Sequence, residues 1–168
     1  MALFAIFFNV FSWYRGLEPE VFRDGQLTLD ARFGLANTFI LLTSSWFVVL
    51  ALRAVREHRR YTALRHLAGA LLCGLGFVAL KIVEYGAKIG AGITLNTNDF
   101  YMLYFMFTGI HLLHLILGLG VLVFLMSLSR RTEWSDSHIR FFEGGAVFWH
   151  MVDLLWIILF PLIYLVRG

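Results

Sequence analysis

The sequence predicts an all-α membrane protein, a polytopic bundle of about five transmembrane helices. Hydrophobic residues make up 60% of the 168 residues, and charged residues make up only 15%. A soluble domain of ordinary composition has an apolar content nearer one half and a charged content nearer one quarter. The mean hydropathy is +0.76, and the apolar residues are gathered into runs long enough to cross a bilayer, which requires about 20 residues.

Four apolar runs meet the length requirement of a spanning helix. They cover residues 33–52, 67–85, 100–128 and 144–166. The opening stretch, residues 1–14, is also apolar but shorter, and we interpret it as a first helix that is short or truncated. No repeat or linker divides the chain, so we expect residues 1–168 to form a single transmembrane domain.

Composition and motifs argue against several classes of protein. The net charge of +3 is small and spread over the loops, without a basic run of the kind that binds nucleic acid. Cys73 is the single cysteine, so the chain can form neither an intrachain disulfide nor a two-cysteine copper centre. The opening stretch lacks a basic n-region and a small-residue cleavage site, so we do not interpret it as a signal peptide.

Four polar residues fall near the middle of the last two spans. His111 and His114 are three residues apart on one span. His150 and Asp153 have the same spacing on the next, so each pair shares one helix face. Because ionisable groups at this depth usually face protein, we expect the pairs to meet in one hydrogen-bonded seam beside Trp149. A zinc or iron site, axial haem ligation and a proton relay are the alternatives.

Two further acidic residues lie near the ends of spans. Glu84 has Lys81 one turn before it and Lys88 one turn after it, and either spacing allows an ion pair. We expect a structural ion pair here, with a proton or lipid-headgroup role as the alternative. Glu143 lies beside Arg140 at the start of the last span, where an acid complements the helix dipole.

Small and hydroxyl-bearing residues recur inside two of the spans. Ala70 and Gly74 are four residues apart, a spacing that permits close helix packing. A second group of small polar residues lies on the 33–52 span, and we expect its hydroxyls to bond back into their own helix. This group consists of Asn37, Thr43, Ser44 and Ser45.

Four ordered motifs resemble subunit III of the haem-copper oxidases. The run from Phe141, FFEGGAVFWHMVDLLWIILFPLIYL, resembles that family's closing helix, and FMFTGIHLLHLILG from Phe105 resembles its Thr-Gly-x-His-x-x-His-x-x-x-Gly segment. KIVEYGAKI resembles its Glu-Tyr helix end, and NTFILLTSSW its Asn-Thr, Ser-Ser helix. Together the motifs cover nearly all of the chain after residue 33.

The resemblance implies a non-catalytic subunit beside a catalytic haem-copper subunit that carries the haem and metal. Such a subunit binds phospholipid between its helices, holds no redox centre of its own, and supports assembly, proton uptake and durability of the enzyme. The matching positions form a set of polar and aromatic residues inside the membrane. They are Glu84, His111, His114, Glu143, Trp149, His150 and Asp153, with Lys81 beside them.

The five-helix length resembles the short members of the family, in quinol oxidases and beside nitric oxide reductases. Lys81, where many oxidase relatives have Gln, favours the nitric oxide reductase branch. Two other classes stay open: a stand-alone membrane haem or metal protein using the mid-membrane histidines, and a small transporter using Glu84 and Asp153. A transporter of the inverted-repeat kind would show paired repeats with broken helices, which this sequence lacks.

The distribution of basic residues predicts the orientation in the membrane. The loops at 53–66 and 129–143 together hold eight arginines, whereas the other side of the five-helix arrangement holds five basic residues. Arginine-rich loops stay in the cytoplasm, so we expect a bacterial inner-membrane protein with its N-terminus inside and Gly168 in the periplasm. Alkaline phosphatase fused after Gly168 should therefore be active, and a cytoplasmic C-terminus would contradict this topology.

Overall fold

Four long helices make up most of the described part of the chain. The computed structural model describes residues 9–10, 13–14, 16, 20, 23, 31–93, 97, 99–130 and 136–165. The helices are α1 (Ala31–Arg56), α2 (Arg60–Gly90), α3 (Asp99–Ser129) and α4 (Asp136–Phe160). A π-helical turn, Pro161–Leu165, continues α4.

The four long spans predicted from the sequence are confirmed. The four candidate spans are 25 to 31 residues long, and the last one extends into the π-helical turn after α4. Each is long and apolar enough to cross a membrane, since a bilayer core about 30 Å thick needs about 20 residues. The additional short helix predicted for residues 1–14 falls mostly outside the described residues and stays a prediction. Within that stretch, Val10 and Tyr14 pack against the core of the bundle.

The helices extend beyond the apolar runs. The loop predicted for residues 53–66 is therefore wrong, because the real connection is much shorter. Only residues 57–59 separate α1 from α2. The amide of Arg59 donates to the carbonyl of Ala54 at 2.8 Å, and His58 adopts a left-handed φ of 55° in the tight turn. The two helices therefore form an antiparallel hairpin, and most of the arginines expected in a loop lie on helix ends.

The four helices form a closed bundle. Helix α1 packs along α2 and α4, and α3 packs along the same two helices, so α1 and α3 face each other across the diagonal. Large aromatic side chains fill the centre: Phe77, Trp149 and Trp156 are each 0–1% exposed. Phe77 and Trp156 meet edge to face with their ring centroids 4.9 Å apart, a favourable geometry for aromatic pairs.

Glycines allow the indole of Trp149 to lie close to two helix backbones. A Cβ atom on Gly74 of α2 would lie 2.6 Å from Leu119 Cδ2 and 3.0 Å from the Trp149 ring. A Cβ atom on Gly118 of α3 would lie 2.9 Å from the same indole. The packing role predicted for the Ala70 and Gly74 pair is thus confirmed, and Ala70 itself is fully buried.

The outer surface of the bundle is apolar. Phe39 and Trp46 on α1, Leu72 on α2 and Val147 on α4 are each 61–69% exposed. Scattered apolar residues are ordinary on soluble proteins, but here they lie on helices that each contain a long apolar window, as expected of surfaces that face lipid or other membrane helices.

Substitution of two nearby glycines should separate packing from helix propensity. Gly74→Ala forces the new methyl group against Leu119 and Trp149, and overpacking of this kind should cost about 1–3 kcal/mol of stability. Gly76→Ala is the matched control, because a Cβ atom there meets no heavy atom within 4 Å and alanine is the better helix former by about 1 kcal/mol. Thermal unfolding in detergent measures both; equal melting of the two variants would contradict the packing argument.

Candidate functional site

A buried ion pair lies near the C-terminal end of α2. Lys81 Nζ and Glu84 Oε2 are 2.7 Å apart, and the two side chains are only 2% and 9% exposed. The ion pair predicted from the sequence is confirmed, with Lys81 rather than Lys88 as the contacting lysine. Because charges are costly inside a low-dielectric bundle, each needs further hydrogen bonds to be stable there.

Two tyrosines from other helices supply those hydrogen bonds. The Tyr104 hydroxyl of α3 donates to Glu84 Oε1 at 2.7 Å, and the Tyr164 hydroxyl donates to the same oxygen at 2.6 Å. Lys81 Nζ donates to the Tyr164 hydroxyl at 3.1 Å and lies 4.8 Å from the centroid of the Trp156 ring, within cation–π range. The cluster therefore joins α2, α3 and the end of α4.

Sequence reasoning did not single out Tyr104 or Tyr164. Both are almost completely buried. Because a buried tyrosine hydroxyl usually has a hydrogen-bond partner, an apolar span with a tyrosine at the depth of Glu84 was the signal that could have identified them. Tyr164 lies in the π-helical turn that begins at Pro161. Proline lacks the amide hydrogen that an α-helix requires at that position, so the change of helix type falls where the sequence allows it.

Lys88 lies beside this cluster in a groove between α1 and the end of α2. Its side chain is largely buried, with Nζ 5.3 Å from the Tyr104 ring centroid, and it contacts no carboxylate of the described residues closely enough to form an ion pair. The groove has a volume of about 280 Å³. Its walls are formed by Phe33, Val83, Glu84, Ala87, Lys88, Ala91 and Ile93.

His150, in the middle of α4, bonds to α1 instead of α3. The Ser45 hydroxyl of α1 is hydrogen-bonded to His150 Nδ1. Asp153, one turn further along α4, is buried, and its Oδ1 has no hydrogen-bond partner among the described residues. The link between Ser45 and His150 differs from the expectation that Ser45 would bond within its own helix.

The seam predicted between the two histidine-bearing helices is wrong for His111. Neither of its ring nitrogens has a hydrogen-bond partner among the described residues. The imidazole is fully buried between the rings of Phe77 and Trp156, at centroid distances of 5.7 and 5.3 Å. His114 uses Nδ1 to donate to the carbonyl of Ile110, one turn earlier on α3, at 2.8 Å.

The other polar residues of the bundle divide between cross-helix bonds and local ones. The Ser44 hydroxyl donates across to the carbonyl of Ala70 on α2 at 2.9 Å, whereas Thr43 bonds back to its own helix as predicted. Asn37 is fully buried, and its side-chain atoms have no hydrogen-bond partner within the described ranges. Trp149 is a core residue whose indole nitrogen likewise has no such partner there.

Glu143 forms an ion pair with α1 rather than a contact with Arg140. Its Oε1 lies 2.6 Å from Arg56 Nη2, and both side chains are substantially exposed, at 42% and 59%. Helix α4 begins at Asp136, so Glu143 lies about two turns inside it, beyond the first turn where the dipole acts. The dipole interpretation was therefore wrong.

No metal centre is formed by the histidines and acids of the described residues. The part of the chain that the structure describes contains no group of three or more His, Cys, Asp or Glu side chains arranged to hold an ion. The alternative of a zinc or iron site built from three imidazoles and a carboxylate lacks its geometry here, since His150 bonds to Ser45 on α1 while His111 lies between the rings of Phe77 and Trp156.

Four apolar spans packed into one bundle, with a buried ion pair that joins three of them, define a multi-pass helical membrane protein. Residues 28–167 match the family model of cytochrome c oxidase subunit III. The chain therefore belongs to the cytochrome c oxidase subunit III family, as its motifs predicted.

Several curated relatives are similar over most of this chain. A heme-copper oxidase subunit I+III of Aeropyrum pernix is 31% identical over 166 residues, 96% of this chain but 20% of that protein. Cytochrome c oxidase subunit 3 of Cyprinus carpio is 34% identical over 130 residues, 77% of this chain and 49% of the relative. The Danio rerio subunit is 34% identical over 141 residues, 83% and 53% of the two chains. The chain thus spans about half the length of the subunit 3 relatives.

Removal of one partner of the buried ion pair should be much more damaging than removal of both. Lys81→Met leaves Glu84 as an unpaired buried charge and should lower the free energy of unfolding by about 3–5 kcal/mol. The double variant Lys81→Met/Glu84→Gln removes that charge and should recover part of the loss. Thermal or denaturant unfolding in detergent gives both values.

The exposed ion pair supplies the matched control for this test. Glu143→Gln breaks the bond to Arg56 on the surface and should cost at most about 1 kcal/mol. If Lys81→Met were no more damaging than Glu143→Gln, or if the double variant were worse than Lys81→Met alone, the ion pair would not hold the three helices together.

Proposed function

We propose that this chain is a non-catalytic, subunit III-like component of a haem-copper terminal oxidase. In that role it packs in the membrane beside the catalytic subunit, which carries the haem and the metal, and it supports assembly, proton uptake and durability of the enzyme in aerobic respiration. Family membership supports the proposal, and the single observation that carries it is the similarity of 96% of this chain to a protein named heme-copper oxidase subunit I+III.

The fused relative explains why direct association is the favoured arrangement. By its name, that protein combines a subunit I part and a subunit III part in one chain, so the two parts are tethered and lie in the same membrane. The apolar outer faces described above, with Phe39, Trp46 and Val147 exposed, are chemically suited to contact another membrane helix. We infer that part of this surface faces the catalytic subunit in the complex.

A nitric oxide reductase is the second candidate partner. It is suggested by Lys81, because the family resemblance stated above implies Gln at this position in many oxidase relatives; in this structure Lys81 forms a buried ion pair with Glu84. The relatives compared above are named as oxidases, so the oxidase assignment has the broader support. The identity of the subunit that co-purifies separates the two candidates.

Bound phospholipid is part of the proposed role, and the groove at Lys88 is its candidate site. Two ammonium groups, Lys81 and Lys88, lie near one carboxylate, Glu84, so the cluster has an excess of one positive charge that a headgroup phosphate would neutralise. Phe33, Val83 and Ile93 give the groove apolar walls suited to an acyl chain. Lysine near the end of a span is a common position for headgroup contact.

Purification of the tagged chain in mild detergent tests the partner role. We expect a haem-copper catalytic subunit to co-purify, and the same enzyme prepared without this chain to keep its haem and initial turnover but to lose activity faster. The isolated chain should show no Soret band. Absence of any haem-copper partner would remove the proposal, and complete loss of turnover in an assembled, fully haem-loaded partner would indicate that this chain supplies catalytic groups.

Lipid counting on the same preparation tests the groove. Native mass spectrometry should show fewer bound phospholipids per chain for Lys88→Gln than for the parent, and Lys88→Arg should retain them because it keeps the positive charge. Arg140→Gln is the matched control, an exposed basic residue on α4 far from the groove. Equal lipid counts in all four proteins would refute the site while leaving the partner role untouched.

A further inference from the structure

His111 has an unmet requirement for hydrogen bonds in the middle of the bundle. A neutral imidazole has one N–H donor and one nitrogen acceptor, and buried polar atoms of folded proteins almost always have partners. The imidazole is fully buried, and neither nitrogen finds a partner among the described residues. Its ring neighbours, Phe77 and Trp156, offer aromatic faces and edges only.

Lys81 has a matching unused donor. An ammonium group has three N–H bonds, and two of them are directed to Glu84 Oε2 at 2.7 Å and to the Tyr164 hydroxyl at 3.1 Å. The third N–H has no oxygen or nitrogen acceptor among the described residues. The side chain is 1% exposed, so bulk solvent does not reach this donor from outside the bundle.

The two groups share the same aromatic neighbour. Lys81 Nζ lies 4.8 Å from the Trp156 ring centroid, and the His111 ring centroid lies 5.3 Å from that same centroid. The Lys81 ammonium and the His111 imidazole therefore adjoin the same indole ring.

We propose that α2 and α3 bind internal water between Lys81 and His111. One water, or a chain of two, accepts the third N–H of the Lys81 ammonium and donates a hydrogen to the unprotonated nitrogen of His111. Internal waters of this kind typically make about three hydrogen bonds to polar groups that have no other partner. Water is the ligand class that fits, because the site must donate to a nitrogen and accept from an ammonium at once.

This water extends the buried polar cluster from the membrane edge to its middle. Glu84 lines the groove near the end of α2 and bonds to Lys81, and the water carries the hydrogen-bond chain on to His111, about halfway along α3. The side chain that the sequence marked as a candidate for an α3–α4 seam thus contributes to an α2–α3 connection.

A high-resolution structure of the full chain in its complex tests the proposal directly. We expect an ordered water within about 3.2 Å of both Lys81 Nζ and a His111 ring nitrogen, or two waters in series. A map of sufficient quality that shows no water at His111, or shows Lys81 in direct contact with the imidazole, would overturn it.

Unfolding of variants gives an independent test in detergent. His111→Phe removes the acceptor and should lower Tm by about 2–8 °C, whereas His111→Gln keeps a donor and an acceptor and should recover most of that shift. His114→Phe on the same helix is the matched control and should shift Tm less. In a Lys81→Met background the effect of His111→Phe should largely disappear, because the two residues share the water.

Two results of the unfolding experiment would contradict the internal water. If the imidazole has no water, phenylalanine removes an unpaired polar group from the core, and His111→Phe should be as stable as the parent or more stable. That result, or an undiminished effect of His111→Phe in the Lys81→Met background, would sink the proposal.

Discussion

The ion pair between Lys81 and Glu84 constrains three of the four helices at once. A carboxylate and an ammonium inside a membrane-spanning bundle are stable only if each is neutralised and its remaining hydrogen-bonding capacity is used. Glu84 meets this requirement with Lys81 on its own helix, Tyr104 on α3 and Tyr164 after α4. The positions of α3 and of the π-helical turn relative to α2 are therefore fixed by one side chain.

The rest of the bundle is arranged around aromatic packing below this cluster. Trp156 lies against the Lys81 ammonium and the rings of Phe77 and His111, and its indole nitrogen donates to Thr38 of α1 at 3.1 Å. One residue of α4 thus touches each of the other three helices. Trp149, two turns earlier on α4, also connects several helices, because Gly74 and Gly118 let its indole approach α2 and α3 closely.

The inner and outer surfaces of the bundle suit different tasks. Inside, the ion pair, the Ser45 link to His150 and the glycine contacts specify which helices pair and in what register. Outside, the helices expose many large apolar side chains, and the Arg56–Glu143 ion pair is an exposed polar contact between α1 and α4. In a membrane, burial of such side chains against lipid gives little drive to associate, so a subunit of this kind is expected to recognise its partner by shape and a few polar contacts.

The sequence by itself determined the number and approximate position of the four long spans, the family, and the local pair of Lys81 and Glu84. These features depend on apolar run length and on spacing along one helix, and both can be read without knowing any neighbour. It also marked Gly74 as a packing position, because small residues four apart leave a flat helix face.

Only the tertiary structure decided which helix each marked face meets. His111 and His150 lie at similar depths on consecutive helices, yet His150 bonds to Ser45 on α1 while His111 faces Phe77 and Trp156. Glu143 likewise bonds to Arg56 on α1 and not to Arg140 in its own chain segment. Helical periodicity gives the direction of a side chain relative to its own axis, but the rotation of each helix about that axis is set by the packing of all four. For that reason the sequence identified the polar residues, whereas the partners of His150, Glu143 and the two tyrosines emerged only from the assembled bundle.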